Sequence, residues 1–301
     1  MAAENNLITA AQLKKVREVD FVSQFTHKSL AKLIEVLGVT RRIPMMEGTT
    51  MYTYKMSGTL QSGAVAEGDI IPLSQYEQEK VPVGEITLNK WRKAVSAEAI
   101  KKSGYATAVT ETDAALLRDV QNGIRTDLFG FINAAEGATN ATGATLQALL
   151  ANLWGQLQVL FEDDTAEAVY FVNPLDVADY LGTANITVQT AFGMNYVENF
   201  LGLGTVIMSN RITKGTAIAT AKQNLIMYYL TMNGDLAAAF DLTTDELGYI
   251  GIKSGYQNEE RAQIESLVMD GIQFLVEYAE GVVKGTLGAG GEDAGGEEQG
   301  E

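Results

Sequence analysis

The sequence predicts an α+β fold, and three observations carry that expectation. Residues 110–137 read as one long amphipathic helix, residues from 144 onward alternate between helical and strand spacing, and the chain ends in apolar strand-rich runs. A fourth feature sits awkwardly beside them. Two alternating runs, from Tyr52 and from Ile86, are separated by the mostly polar residues 57–80, a separation that counts against pairing them unless the intervening loop binds something.

Taken in order, residues 9–37 place Leu13, Val16, Phe21, Phe25, Leu30, Leu33, Ile34 and Leu37 at three- and four-residue spacings, ahead of Gly38, Arg41, Arg42 and Pro44. They predict a helical, partly extended N-terminal arm that needs a surface to lie on. Tyr52, Tyr54 and Met56 alternate with Thr53 and Lys55 as a first strand, and Ile86, Leu88 and residues 90–95 form a second. Ser96 is positioned to cap a short helix ended by Gly104. In the long helix, Thr110 or Thr112 is the expected cap, Gly137 the stop, and Leu116, Val120, Ile124, Leu128, Ile132 and Ala135 the buried stripe. At 1.5 Å per residue it spans roughly 36 Å. Gly123 and Gly130 weaken it by about 1 kcal/mol each, so close approach of another element is the expected reason for them.

Residues 144–161 predict a further helix, "AVYFV" a buried strand, and Asn173-Pro174 the start of another helix. "TVIMSN" and "LIMYYL" are strands joined by a polar connection, "AQIESLVMDGIQFLVEY" is ambiguous in period, and residues 288–301 read as an acidic tail without core anchors.

Composition narrows the function. With 46% hydrophobic residues and no cysteine the chain can build a core but no disulfide or thiolate site. A net charge of −16 disfavours a nucleic-acid groove or an anionic membrane surface. The charge is segregated. Residues 1–104 hold 14 Lys+Arg and 11 Asp+Glu, a net of +3, which leaves 8 and 27 of the chain's 22 and 38 for residues 105–301, a net of −19. One copy's N-terminal part could therefore attract another's body, beside the plainer reading of solvated faces.

No motif carries chemistry. His27 is the only histidine, so neither a histidine triad with alternatives nor a multi-histidine metal site can be assembled. Glu162, Asp163 and Asp164 read as a solvated turn. The run from Asp241 and Asp245 has Glu246 where a calcium loop needs glycine, and Gly202 and Gly204 precede a strand where a dinucleotide fingerprint follows one. Catalytic, cofactor-binding and metal residues are expected to be none. A carbohydrate-active enzyme could use paired carboxylates such as Asp176 and Asp179, and no pocket is identifiable for them.

The order of these parts resembles the major capsid proteins of tailed bacteriophages, with the Hong Kong 97-like fold. The strand leading into "SAEAIKKSG", the helix "DAALLRDVQNGIRTDLFGFI", "VYFVNPLDVADYL" and "LGLGTVIMSNRITKGT" carry the likeness, over about residues 5–287. It implies an N-terminal arm (1–49), an extended loop (50–95), a peripheral domain with a spine helix (96–140, with a return segment 245–287), an axial domain (141–244) and a disordered acidic tail (288–301). It further implies a non-enzymatic subunit that self-assembles through pentamers and hexamers into an icosahedral shell around double-stranded DNA, without sequence-specific binding. The expected location is the virion, after assembly in the bacterial cytoplasm, with no membrane and no cofactor. Encapsulin compartments share the fold and are the alternative. The loop's contacts are expected at Gly58, Gly63, Gly68, Ile70, Ile71, Pro72 and Leu73, and the arm's at Phe21, Phe25, Arg41 and Arg42. Two departures matter. Residues 57–79 contain no lysine to form the lysine–asparagine crosslink of some members, and the arm starts near Met1, so a separate scaffolding protein is expected, with portal and decoration proteins as further partners.

Overall fold

The computed structural model describes residues 30–66, 69–135, 140–161, 166–181, 187–191, 194–244 and 247–288. Phe21, Phe25, His27, Gly68, Gly137, the acidic run 162–164, residues 245 and 246, and all of the tail after Gly288 lie outside them.

The described chain opens with helix α1 (Leu30–Leu37), turned by Gly38 at φ 67°, followed by strand β1 (Arg41–Pro44). Strands β2 (Thr50–Thr59) and β3 (Gln75–Glu85) form a hairpin, and β4 (Asn89–Ser96) leads into α2 (Ala97–Ser103). The spine helix α3 (Glu111–Ala134) precedes β5 (Asn140–Gly143), α4 (Leu146–Leu160), β6 (Ala168–Val172) and α5 (Pro174–Leu181). Then come β7 (Gln189–Ala191), β8 (Met194–Val197), β9 (Gly204–Met208), β10 (Thr216–Ala221) and β11 (Leu225–Tyr229). Helix α6 (Asp235–Phe240) and strands β12 (Thr243–Thr244), β13 (Ile250–Asn258), β14 (Gln263–Asp270), β15 (Ile272–Val276) and β16 (Val282–Leu287) complete it.

A seven-stranded sheet in the order β5-β16-β10-β6-β9-β8-β7 forms the larger part. Its central strand β6 is buried on both faces. Val169 and Phe171 face the core shared with α3, while Ala168, Tyr170 and Val172 face the core under α4, so one run of five apolar residues serves two layers. Phe129 of the spine meets Phe171 edge to face, with ring centroids 5.8 Å apart. Beside β6, Gly204 holds φ 144°, and a Cβ there would lie 2.2 Å from the Ala168 carbonyl, so only glycine lets the parallel strand begin at that spacing. A four-stranded sheet, β12-β13-β14-β4, and a three-stranded one, β1-β11-β15, pack on the other part of the spine.

Several local expectations hold. Ser96 Oγ accepts from Ala99 N–H, and Gly104 takes φ 83° with its N–H on Ile100 O. Asn173 accepts Leu175 N–H at 2.9 Å while its amide donates to Ile212 O at 2.7 Å, so it starts α5 and ties down the β9–β10 connection together.

Other expectations are corrected. Neither Thr110 nor Thr112 caps the spine, because a π-helical turn, Ala106–Thr110, runs straight into it and Thr112 Oγ1 donates back to Ala108 O. The last helical residue is Ala134. Leu116 is only half-buried, whereas Leu117, Gln121 and Phe129 join the stripe. Among the described residues nothing lies within 4 Å of a Cβ at Gly123 or Gly130, so no described element approaches them closely. The "polar connection" contains β10, whose small and β-branched residues pair with both β6 and β16 in mid-sheet. The ambiguous run is two strands broken at Gly271. Strand β16, expected to return to the peripheral part, lies between β5 and β10. The arm, expected to lie on another surface, is part of the body from Leu33 onward: Leu33, Ile34, Val36 and Leu37 are in the main core, and β1 pairs in parallel with β11.

One ion pair is fully internal. Lys93 of β4 contacts the Asp113 carboxylate at the start of the spine and donates to Val109 O at 2.8 Å and Thr112 Oγ1 at 2.6 Å, while Ser254 Oγ donates to Asp113. Burial pulls the Lys93 ammonium below the usual lysine range, against the opposing pull of Asp113. Removing one partner strands a charge, so Lys93→Met should cost about 3–5 kcal/mol in denaturant unfolding. Lys93→Met combined with Asp113→Leu should recover most of that loss; a double variant no better than the single one refutes the pairing.

Candidate assembly surface

The two runs that looked like partners are not paired with each other. Strand β2 pairs with β3, from Thr50↔Glu85 to Thr59↔Gln75, and the run containing Trp91 and Val95 pairs with β14 instead. The expected stem of residues 52–56 with 86–95 is therefore wrong, for a physical reason: Val95 is buried beneath α2 and Trp91 packs on the main core, whereas β3 is polar and stands in solvent. A ten-residue strand spans about 33 Å, so the hairpin is a long projection.

Its root is firmly held. Met51 and Ile86 are buried with Ile226, Tyr228 and Leu275. Gly48 N–H donates to Ile86 O at 2.9 Å and Ile86 N–H to Thr49 O at 3.1 Å. On the other edge, Tyr54 N–H donates to Glu277 O at 2.8 Å, and Thr53 Oγ1 reaches the carbonyls of Val276 and Glu277. The Glu277 carboxylate in turn takes the Arg41 guanidinium, whose charge it stabilises through their hydrogen bond. Arg42 reaches Tyr249 OH at 3.4 Å. Of Arg41 and Arg42, expected as arm contacts, Arg41 thus braces the hairpin root through Glu277 and Arg42 reaches a tyrosine of the main core, both within their own chain.

Beyond Thr53 the hairpin has two unlike faces. One carries Tyr52 and Tyr54 with Lys80 Nζ 5.8 and 5.9 Å from their ring centroids, and then Tyr76, whose ring occupies the space where a Cβ on Gly58 would lie. The other carries Lys55, Ser57 and Thr59 opposite Glu79, Glu77 and Gln75. At the tip the aliphatics are bare: Ile70 is 93% exposed, Leu73 92%, and Leu60 and Ile71 over two thirds. Pro72 is exposed with them, and Gly63 stands in open space. Singly exposed apolar residues are ordinary, but four on one loop form a patch that ordinarily marks contact with another molecule. Leu60 and Tyr76 belong to this surface and were not singled out from sequence. The alternation of β2 extended to Leu60 would have found the first; Tyr76 is hidden among polar neighbours.

The other candidate residues serve the fold. Asp176 is buried and accepts Gly215 N–H at 2.8 Å, and Asp179 is exposed on the same helix, so the carboxylate pair is divided between structure and solvent. Among the described residues no three metal-ligating side chains converge, and no helix is long and apolar enough to cross a membrane.

With this geometry, the chain's overall architecture matches known shells. The capsid of cyanophage P-SCSP1u aligns at TM-score 0.54 with 8% identity, covering 95% of this chain and 92% of that one. The capsid of an empty GTA particle aligns at 0.52 with 11% identity (92% and 94%), and a structure from Mycobacterium phage Che8 at 0.51 with 11% identity (95% and 96%). The chain has the phage capsid fold. Coverage is nearly complete on both sides. No family model matches the sequence, and neither does any curated protein.

Within this capsid fold, the hairpin root has one unusual group. Asn89, which opens β4 three residues after Ile86, donates to Asp270 Oδ1 at 3.1 Å. Asp270 is fully buried and its Oδ2 has no hydrogen-bond partner. Burial pushes its carboxyl up to about 7; Asn89 opposes the rise and the Asp127 carboxylate of the spine adds to it. Because this pKa lies above that of the unfolded chain, the native state keeps a proton that the unfolded state releases between about pH 4 and 7. Stability from this group falls across that window by about 4 kcal/mol. The unfolding free energy of Asp270→Asn, relative to the parent, should therefore rise by that amount from pH 4 to 7. A difference constant with pH rules the burial argument out.

Proposed function

We propose that the chain is the major capsid subunit of a tailed bacteriophage, building an icosahedral shell around double-stranded DNA by self-assembly. The observation that carries this reading is the hairpin: a projection on the roughly 33 Å scale with bare aliphatics at its tip and, among the described residues, no partner for them. A second copy is the natural partner, because every copy presents the same projection and the same body.

In this reading the peripheral part comprises residues 96–135 with the β13–β14 sheet, and the axial part the seven-stranded sheet, including β16. Axial parts cluster into pentamers and hexamers, hairpins overlap neighbours, and a separate scaffolding protein and a portal complete assembly. The DNA is enclosed without sequence reading, in keeping with an acidic body.

Negative-stain microscopy of the purified chain tests the reading: closed shells or free pentamers and hexamers are expected, and a monodisperse monomer at high concentration overturns it. The hairpin's share is tested by replacing residues 60–74 with Asn-Gly, which joins the paired Thr59 and Gln75 through a tight turn. The subunit should keep its unfolding free energy within about 0.5 kcal/mol and lose the ability to close shells. Normal shells from this variant would remove the tip from the assembly mechanism.

A further inference from the structure

Residues 105–301 hold only 8 Lys+Arg against 27 Asp+Glu, yet three of those cations gather over one stretch of the spine. Arg211, in the connection from β9 to β10, lies against exposed Asn122 and Thr126 of α3. Its guanidinium donates to Asn122 Oδ1 at 2.6 Å and to Thr126 Oγ1 at 2.9 Å. Arg125 donates to the same Asn122 oxygen at 3.4 Å. Two guanidiniums thus share one neutral acceptor, and burial together with repulsion from Arg211 pulls Arg125 below the usual arginine range. About two turns further along the helix, Asn133 ties in the third cation. Its amide donates to Arg211 O at 3.1 Å, and its backbone carbonyl accepts Lys284 Nζ at 2.7 Å. Among the described residues neither Arg211 nor Lys284 has a carboxylate within ion-pair distance.

Lys284 belongs to β16, and the chain runs on from that strand past Gly288 into residues 289–301. That segment carries Glu292, Asp293, Glu297, Glu298 and Glu301 and no lysine or arginine. We propose that this acidic segment folds back along β16 and docks on the Arg125–Arg211–Lys284 cluster of its own chain. The spans agree. Gly288 lies about 14 Å along the strand from Lys284, and Glu292 lies the same number of residues beyond Gly288, so the first acidic pair reaches Lys284. The returning segment passes over Thr286, which is exposed on the same face of β16 as Lys284. Glu297 and Glu298 follow after up to about 17 Å of extended chain, and Asn133 stands about 10–16 Å along the spine from Thr126 and Asn122. One acidic pair therefore meets Lys284 and the other meets the two arginines. Each exposed ion pair is weak, but so short a tether gives the segment an effective concentration on the order of millimolar. Docked there, it withholds the cationic patch from other polyanions. The contact lies within one chain and stands whether or not the assembly reading does.

The test is carbodiimide coupling of the full 301-residue chain at low salt, followed by peptide mass spectrometry. The reagent joins a lysine amine to a carboxylate only where the two touch. An amide between Lys284 and Glu292 or Asp293 of the same chain is expected, about fivefold or more above any product of residues 289–301 with Lys214, Lys222 or Lys253. Its yield should fall about threefold or more in Arg125→Gln, and again in the parent chain at about 1 M salt, where the screening length drops to about 3 Å. Equal coupling to the other lysines, a product that joins two chains, or a yield indifferent to both salt and Arg125→Gln overturns the docking. Loss of the Lys284 product on adding an equimolar short DNA duplex also overturns it, and gives the cluster to nucleic acid instead.

Discussion

The spine helix is the constraint on which the rest of the molecule depends. Leu117, Val120, Ile124, Leu128, Phe129 and Ile132 form an apolar face wide enough to touch three sheets at once. Ile250, Ile252 and Val268 come to it from the four-stranded sheet, Met227, Ile272 and Phe274 from the three-stranded one, and Val169, Phe171, Ile207 and Ile218 from the seven-stranded one. At roughly 1.5–3 kcal/mol for each large side chain removed from water, six such residues contribute on the order of 10 kcal/mol, comparable with the whole stability of a domain. None of the three sheets could keep its relation to the others without that shared wall.

The hairpin's position follows from the same wall at one remove. Strand β15 lies on the spine, and the two residues that follow it, Glu277 and Tyr278, offer backbone groups to Thr53 and Tyr54. Glu277 also binds Arg41, so β1 and the hairpin meet at one point, and Arg41 acts as a clamp on the hairpin root. A projection anchored at a single root transmits any change at that root along its whole length.

Much of this was legible in the sequence where apolar spacing was regular. The spine, the capped start of α2, the Asn173 start of α5, the fully apolar β6 and the exposed tip residues 70–73 were all readable because local spacing and tertiary role agree there. The register of the hairpin was not. Strand β3, with Gln75, Glu77, Glu79 and Lys80, has no buried face to imprint an alternation, so its polar sequence resembles a loop while the true partner of β14 resembles the missing strand. Strand β10 was missed for a related reason: "TAIATA" is small and weakly apolar, and its central place is dictated by close packing between β6 and β16. The Lys93–Asp113 pair and the Asn89–Asp270 contact join residues distant in sequence, and charge alone gives no sign of such burial.

A long bare hairpin also poses a hazard, since an exposed strand edge invites pairing with any other edge. Here the hazard is confined. Pro82 removes a donor from β3, the register shift after Met51 twists the ladder, and Lys55, Glu77 and Glu79 place charges of both signs along one face. Glycine at position 58 admits the Tyr76 ring across the strands, so the aromatic face is filled by its own side chains up to the tip. Leu60, Ile70, Ile71 and Leu73 are the most exposed apolar side chains of the hairpin, with Tyr76 beside them. Apolar surface is thus withheld from the shaft, where it would favour indiscriminate association, and concentrated at the end, where contact requires a partner at a fixed distance from the root. Such an arrangement favours geometry over affinity, because a contact confined to the tip is met only at a fixed distance from the root.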